Sequence, residues 1–371
     1  MSFLKLSLSA AVPEKKGHQP ARFFCALVPE KKGDHPGRFF CALVLIMVLL
    51  LSTGCSRGYI SSYSDNTGRK GFALTSVYAD YDGRLPLYAE GFGVPGEGSS
   101  ADIGTVKACG LFDVDGGKTV IEENLTTRLY PASTTKIMTA LLAIKYGDLD
   151  KMLTASAKVS DMEWEAQRIG IEEGDKMTMD QALHYLMVYS ANDAGNLIAE
   201  NIGKNYDDFI RMMNEEAARI GATNTHFVNP HGLHDKNHYT TAYDLFLIFK
   251  ECIKYPKFLE IAKLGHYSTV FHDKKGGIRA IEVSSTDGYV KGSRKSPDRI
   301  KVLGGKTGTT DQAGCCLIIL SEYDTGRRFV SVILGARSHS YLYACMNRLL
   351  DQETVYLEAE EQIKKADKEK K

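Results

Sequence analysis

Ser133 to Gly147 reads STTKIMTALLAIKYG. A polar start, an apolar body free of Pro, and a closing glycine predict a helix from Ser133 to Tyr146 that stops at Gly147. Upstream, Ala108 to Val114, the turn Asp115-Gly116-Gly117 and Thr119 to Glu122 predict a hairpin, with Asp-Gly marking the turn. Downstream, Asp180 is expected to cap a helix running through Gln181-Ala182-Leu183 to Val188. Asn205 to Ile220 has helical periodicity and ends at Gly221. Thr240 or Thr241 starts a further helix that ends before Pro256. Strand-like runs follow at Tyr267–Phe271, Ile278–Val283, Lys301–Gly304, Cys315–Ser321 and Arg328–Leu334, and a charged helix from about Tyr341 to Lys364 closes the chain. Strand pair, helical block, strands and a last helix predict an α+β fold, an antiparallel sheet packed against a large helical block.

The chain has 371 residues, with Lys+Arg and Asp+Glu both at 46, so its formal net charge is zero. That balance argues against nucleic acid as the main partner. Eight cysteines are present, and Cys25, Cys41 and Cys55 lie in or beside the N-terminal segment. Five remain in the body, an odd number, which rules out a complete disulfide framework. They read as small buried apolar residues, with one bridge left open.

Phe39 to Leu51 reads FFCALVLIMVLLL, preceded by Lys31, Lys32 and Arg38 and followed by Ser52-Thr53-Gly54-Cys55. This is the three-part layout of a secretory signal. The run is shorter than the about 20 apolar residues a spanning helix needs. Cys55 after Gly54 resembles a lipoprotein cleavage site, although Ser52 stands where a large aliphatic residue is usual. Ser52 and Gly54 equally suit ordinary signal peptidase. Lipidation, cleavage and an uncleaved membrane anchor all stay open. VPEKKGHQPARFFCALV (Val12–Val28) and VPEKKGDHPGRFFCALV (Val28–Val44) form a tandem repeat within this targeting segment. The expected organisation is therefore a targeting segment over 1–55, a Gly-, Ser-, Tyr- and Asp-rich tether over 56–105, and one catalytic domain over 106–371.

Three short motifs carry chemistry. Ser133 and Lys136 stand three apart at a helix start, so the Lys136 amine can reach the Ser133 hydroxyl, beside free backbone N–H groups. Ser190-Ala191-Asn192 falls at the end of an apolar helix. Lys306-Thr307-Gly308, followed by Thr309, ends an apolar run, where a lysine among hydroxyls suits a carboxylate and Gly308 lets a ligand approach. Taken singly, each reads as well as a helix cap, a capping serine or a strand end. Their order in one domain is specific. Together with YPASTTKIMTA (Tyr130–Ala140), YSANDA (Tyr189–Ala194), FVNPHGL (Phe227–Leu233), YTTAYDL (Tyr239–Leu245) and GGKTGTTDQAG (Gly304–Gly314), they resemble the serine D-alanyl-D-alanine carboxypeptidases, the penicillin-binding proteins of low mass. The resemblance covers roughly Val106 to Leu350 and implies a β-lactamase/D,D-peptidase-like fold.

It also implies roles. Ser133 would be the nucleophile and Lys136 its base. Ser190 would relay a proton to the leaving amine, and Asn192 would hold a substrate amide. Lys306, Thr307 and Thr309 would bind the terminal carboxylate of D-alanine, and the backbone N–H groups of Ser133 and Thr309 would form the oxyanion hole. The substrate would be a peptidoglycan stem peptide ending in D-Ala-D-Ala, and β-lactams would acylate the same serine. No cofactor and no metal is expected. His231, His234, His238 and Asp235 cluster in sequence, but Pro230, Gly232 and Asn237 argue for a loop instead of a zinc-binding helix. Ser64-Asp65-Asn66 matches a β-lactamase motif but lies upstream of Ser133 in the tether and carries no weight. A class A β-lactamase would need a glutamate after the second motif, and Ala217 to Lys250 has none. A D,D-endopeptidase uses the same machinery, and a penicillin-sensing or wall-binding module would bind without turnover. Neither a second β-rich domain nor an amphipathic anchor is expected after Leu350.

Overall fold

The computed structural model describes residues 95–163 and 165–369. The targeting segment, residues 56–94 of the expected tether and the Ser64-Asp65-Asn66 motif lie outside the described residues.

Two antiparallel sheets and seven α-helices make up the described body. Strands β1 (Ala108–Asp113) and β2 (Lys118–Glu123) form the expected hairpin. Then come α1 (Lys136–Tyr146), β3 (Met152–Thr154), β4 (Lys176–Thr178), α2 (Met179–His184), α3 (Asn192–Ile202), α4 (Tyr206–Ile220), α5 (Ala242–Cys252) and α6 (Pro256–Ala262). The chain closes with β5 (His266–His272), β6 (Ile278–Ser284), β7 (Ile300–Thr310), β8 (Gly314–Tyr323), β9 (Arg328–Ala336) and α7 (His339–Glu369). The larger sheet has the order β2-β1-β9-β8-β7, which leaves β7 at an edge.

Alternation along β8 shows how this sheet is held. Cys316, Ile318 and Leu320 pack into the core shared with the helical block. Cys315, Leu317 and Ile319 point the other way, onto Leu342, Cys345, Met346 and Leu349 of α7. Period-two alternation thus serves two hydrophobic layers, each buried aliphatic side chain contributing about 1.5–3 kcal/mol. The first turns of α7 accordingly bury one face, Leu342 to Glu353, while its later turns are largely exposed.

Four expectations are corrected. Tyr267–Phe271 and Ile278–Val283 are strands, but they join β3 and β4 in a separate sheet of order β3-β4-β5-β6. Thr178, not Asp180, caps α2: its hydroxyl accepts from Gln181 N–H while the Gln181 side chain accepts from Thr178 N–H, a reciprocal capping box. The expected helix to Val188 is α only to His184 and continues as one π-helical turn, Tyr185–Tyr189. Residues 99–105 belong to the folded body. Ser99 N–H donates to Val120 O at 2.9 Å, Glu122 N–H donates to Ser99 O at 3.0 Å, and Ile103 is fully buried. All five body cysteines are free and buried. No helix among the described residues is long and apolar enough to cross a membrane.

Candidate active site

Ser133 lies in a 3₁₀ turn, Ala132–Thr135, that feeds α1. In such a turn residues three apart eclipse, which stacks Lys136 onto Ser133 more directly than an α-helix would. Lys136 Nζ is 2.9 Å from Ser133 Oγ. Ala132 holds a left-handed φ of 48°, a costly conformation for a residue with a side chain. The loop after α4 locks it there. Gly232 is pressed so close that a Cβ would fall 1.9 Å from Ala132 O. Val228 N–H donates to His238 Nδ1, so the ring proton sits on Nε2. That N–H donates to Thr135 Oγ1 at 2.7 Å, and the Thr135 hydroxyl donates to Ala132 O at 2.8 Å. Burial pushes His238 down to about 3, which keeps the ring neutral in this role.

Lys136 is completely buried. Burial, followed by the nearby Lys306 charge, holds its amine well below the ordinary lysine range, against the pull of Asp193. Its other two contacts are carbonyls: Asn192 Oδ1 and His231 O, each at 2.6 Å. A neutral amine has two N–H donors and one lone pair. With both donors taken by carbonyls, the lone pair is left to accept the Ser133 proton. This is the geometry of an activated serine.

Ser190 and Asn192 flank the junction between the π-helical turn and α3. Ser190 adopts a left-handed conformation, φ 67° and ψ 32°, ending the turn and aiming its hydroxyl inward. The segment is anchored by Asp193, whose buried carboxylate accepts from the backbone N–H groups of Ile169, Gly170, Ile171 and Ala194. Asn192 N–H donates to Gln167 O, tying the same loop to the motif.

Strand β7 does not end at Gly304 as expected but continues through Lys306-Thr307-Gly308 to Thr310. Its glycines allow contacts that side chains would block: a Cβ at Gly304 would meet Ala262 O at 2.5 Å. Lys306 Nζ donates to Ser190 Oγ at 2.9 Å and to Thr307 O at 3.0 Å. Burial brings Lys306 down to about 7, partly offset by Asp287. Thr307 Oγ1 donates to Thr286 Oγ1 at 2.6 Å. At Gly308 an added Cβ would lie 2.8 Å from Ser133 N, so the strand runs directly against the nucleophile turn. Thr309 Oγ1 is 3.5 Å from His339 Nε2. All eight expected site residues therefore converge: Ser133 and Lys136, Ser190 and Asn192, and Lys306 to Thr309.

The histidine-rich stretch is used differently from a metal site. His231 supplies a backbone carbonyl, His238 a neutral ring, and His234 an edge contact to the Tyr130 ring. Among the described residues, no group of three or more His, Cys, Asp or Glu is arranged to hold a metal ion. Sequence reasoning missed the positioning roles of His231, Gly232, His238 and Asp193. The signal available was the Pro-His-Gly turn and the aspartate after Asn192.

A buried lysine paired with a serine three residues before it, with a second lysine–serine pair alongside, defines a serine acyl-transfer site. Residues 99–338 match the sequence profile of the D-alanyl-D-alanine carboxypeptidase family of serine peptidases. The chain belongs to that family. It is 32% identical over 249 residues to the D-alanyl-D-alanine carboxypeptidase DacF of Bacillus subtilis, covering 66% of this chain and 61% of the relative. It is 27% identical over 237 residues to DacA of Haemophilus influenzae, covering 62% of this chain and 56% of the relative. The chain thus spans about three fifths of the length of these curated relatives. Among solved structures, the Streptomyces K15 DD-transpeptidase superposes with a TM-score of 0.60 at 28% identity, covering 66% of this chain and 97% of that one. The D-alanyl-D-alanine carboxypeptidase of Mycobacterium tuberculosis gives 0.60 at 26%, covering 69% and 94%. The β-lactamase/D,D-peptidase-like α+β fold expected from the motifs is the fold of these structures.

Proposed function

We propose that this protein is a serine D-alanyl-D-alanine carboxypeptidase that removes the terminal D-alanine of peptidoglycan stem peptides and is acylated by β-lactams. The observation that carries the reading is the Lys136 amine, buried, 2.9 Å from Ser133 Oγ and donating to two carbonyls. In the first step Ser133 Oγ attacks the D-Ala–D-Ala carbonyl while its proton passes to Lys136. The oxyanion meets the backbone N–H groups of Ser133 and Thr309, where one such donor is worth about 2.7–4 kcal/mol. Ser190, bonded to Lys306, passes a proton to the departing amine and is reprotonated by the proton that Lys136 took from Ser133, and D-alanine leaves. Lys306, with Thr307 and Thr309, holds its carboxylate. Water then cleaves the ester, its proton returning to Ser133. Because the substrate class lies outside the cytoplasmic membrane, the apolar run 39–51 is read as an export signal, with attachment through the N-terminus or at Cys55 as the way of staying at the envelope.

The test compares wild type and Ser133→Ala for labelling by fluorescent penicillin and for D-alanine release from a pentapeptide. Both signals are expected to vanish in the variant. A label of unchanged strength on Ser133→Ala would remove Ser133 as nucleophile.

A further inference from the structure

Asp287 is a buried carboxyl that the mechanism above leaves unused. It lies in the loop between β6 and β7 and is 2% exposed. Oδ1 accepts from Tyr289 N–H at 2.9 Å, an Asx turn, and Asp287 N–H donates to Ser285 Oγ at 3.1 Å. Oδ2 is buried and meets no donor at hydrogen-bond geometry among the described residues. An oxygen left so is costly unless a charge nearby compensates it. The preceding residue shows where that charge is. Thr286 Oγ1 accepts from Thr307 Oγ1 at 2.6 Å, and Thr286 N–H donates to Val188 O at 3.2 Å. One loop therefore braces both the strand that carries Lys306 and the turn that ends at Ser190.

Lys306, itself 1% exposed, directs its hydrogen bonds to Ser190 Oγ and Thr307 O, so Asp287 acts on it across space and not through a bond. Lys136 faces Lys306 from α1 with a second amine. Tyr343, whose hydroxyl accepts from Gly288 N–H at 2.7 Å, faces Asp287 from α7, and Arg294 lies over the Tyr343 ring, 5.2 Å from its centroid. Asp287 is the carboxylate that favours the charged form of Lys306. That charge fixes the direction of the bond to Ser190. An ammonium has three donors and no lone pair, so Ser190 Oγ can only accept from it, and the Ser190 proton is left to point at the departing amine. A neutral Lys306 could accept that proton instead, and would offer no charge to a substrate carboxylate.

We propose that Asp287 is a positioning residue for the reaction: its carboxylate keeps Lys306 protonated, and through Lys306 it aims the Ser190 proton and holds the charge that grips the substrate carboxylate. This rests on the carboxypeptidase reading and deepens it. Burial lifts Asp287 to about 6, against the Tyr289 N–H bond and the Lys306 charge. Its help is therefore absent below about pH 6 and present above it.

The experiment measures kcat and KM for D-alanine release from a D-Ala-D-Ala pentapeptide by the full chain between pH 5 and pH 9, in wild type, Asp287→Asn and Asp287→Ser. Asparagine keeps the shape, and serine keeps the turn through its own hydroxyl, so one variant serves if the other fails to fold. The falling limb of kcat/KM is expected to move to lower pH by about one unit, the low end of what a nearby opposite charge does to an ionisable group. Variant and wild type should then converge below about pH 6 and differ by about tenfold at pH 8. The greater part of that difference should lie in KM, because a bound substrate carboxylate itself favours the charged lysine. A variant profile lowered equally at every pH, as lost packing alone would give, overturns the assignment. So does a falling limb that stays where it is in wild type. Failure of the underlying reading registers separately, as a wild-type protein that neither releases D-alanine nor takes a penicillin label, and it would overturn both.

Discussion

Replacing Gly308 by alanine probes how firmly strand β7 presses on the nucleophile turn. The new Cβ would lie 2.8 Å from Ser133 N, 2.9 Å from Thr134 N and 3.0 Å from Pro131 O. All three are backbone atoms, so no change of rotamer relieves the contact. Ordinary van der Waals contact begins at 3.4 Å, so strand and turn must separate by about 0.6 Å in a close-packed interior that yields little. A misplacement of about 1 Å at a reacting centre costs about 10²-fold, which scales here to roughly ten- to thirtyfold. The overpacking should cost about 1–3 kcal/mol of stability. The assay is the second-order rate of acylation by fluorescent penicillin, read beside the melting temperature. Gly276→Ala is the control: Gly276 has φ +80° but open space around its Cβ position. It should lose about 1 kcal/mol through backbone strain and keep its acylation rate. A Gly308→Ala protein that acylates at the wild-type rate would refute the claim that strand and serine share one rigid contact.

Two further outcomes follow from the lysines. Lys306 titrates at about 7 because it is buried; if its ammonium binds the substrate carboxylate, kcat/KM falls as pH rises through about 7. The bound carboxylate favours the charged form, so the falling limb of kcat moves to higher pH, while Lys136, active when neutral, sets the rising limb. A kcat/KM flat between about pH 6 and pH 9 would contradict this assignment. Lys306→Met should abolish peptide turnover yet raise stability at neutral pH by on the order of 1–3 kcal/mol, less than the whole titration shift implies because Ser190 Oγ and Thr307 O lose a donor. A folded-state value depressed from 10.5 to about 7 means that wild type gains stability as pH rises through that window, so the gap should close toward alkaline pH. Chemical denaturation at several pH values checks it, and a less stable Lys306→Met would count against it.

The parts of the fold legible in the sequence are those whose signals are local. Helix α1, the β1–β2 hairpin and helix α4 with its Gly221 stop are each written in a few adjacent residues. β3 and β4, three residues each, are too short for period-two alternation to be read, so a second sheet is not legible and the strand-like runs suggest a single one. Thr178, two residues before the expected cap Asp180, is an N-cap of the same quality by residue type. Only the reciprocal Gln181 bond decides between them. Gly304 and Gly305 read as the end of a strand. In the fold they are the reason β7 can continue, since a Cβ at Gly305 would lie 2.1 Å from Ile318 O. The motif residues were legible as types in order, but the convergence of Lys306 on Ser190 spans 116 positions and is a property of the packing alone.

The same packing explains why the positioning residues matter as much as the motifs. Burying two amines is costly, and among the described residues no carboxylate bonds either one directly. The fold meets Lys136 with carbonyls instead, from Asn192 and His231, which satisfy its N–H groups without restoring its charge. An aspartate at position 192 would form an ion pair and hold Lys136 protonated, and a protonated amine cannot accept from Ser133. Asp193, next in sequence to Asn192, is the carboxylate nearest to doing this. Its oxygens are occupied by four backbone N–H groups instead of the lysine. Reactivity at Ser133 thus depends on an aspartate being kept busy one residue away from the amide that takes its place.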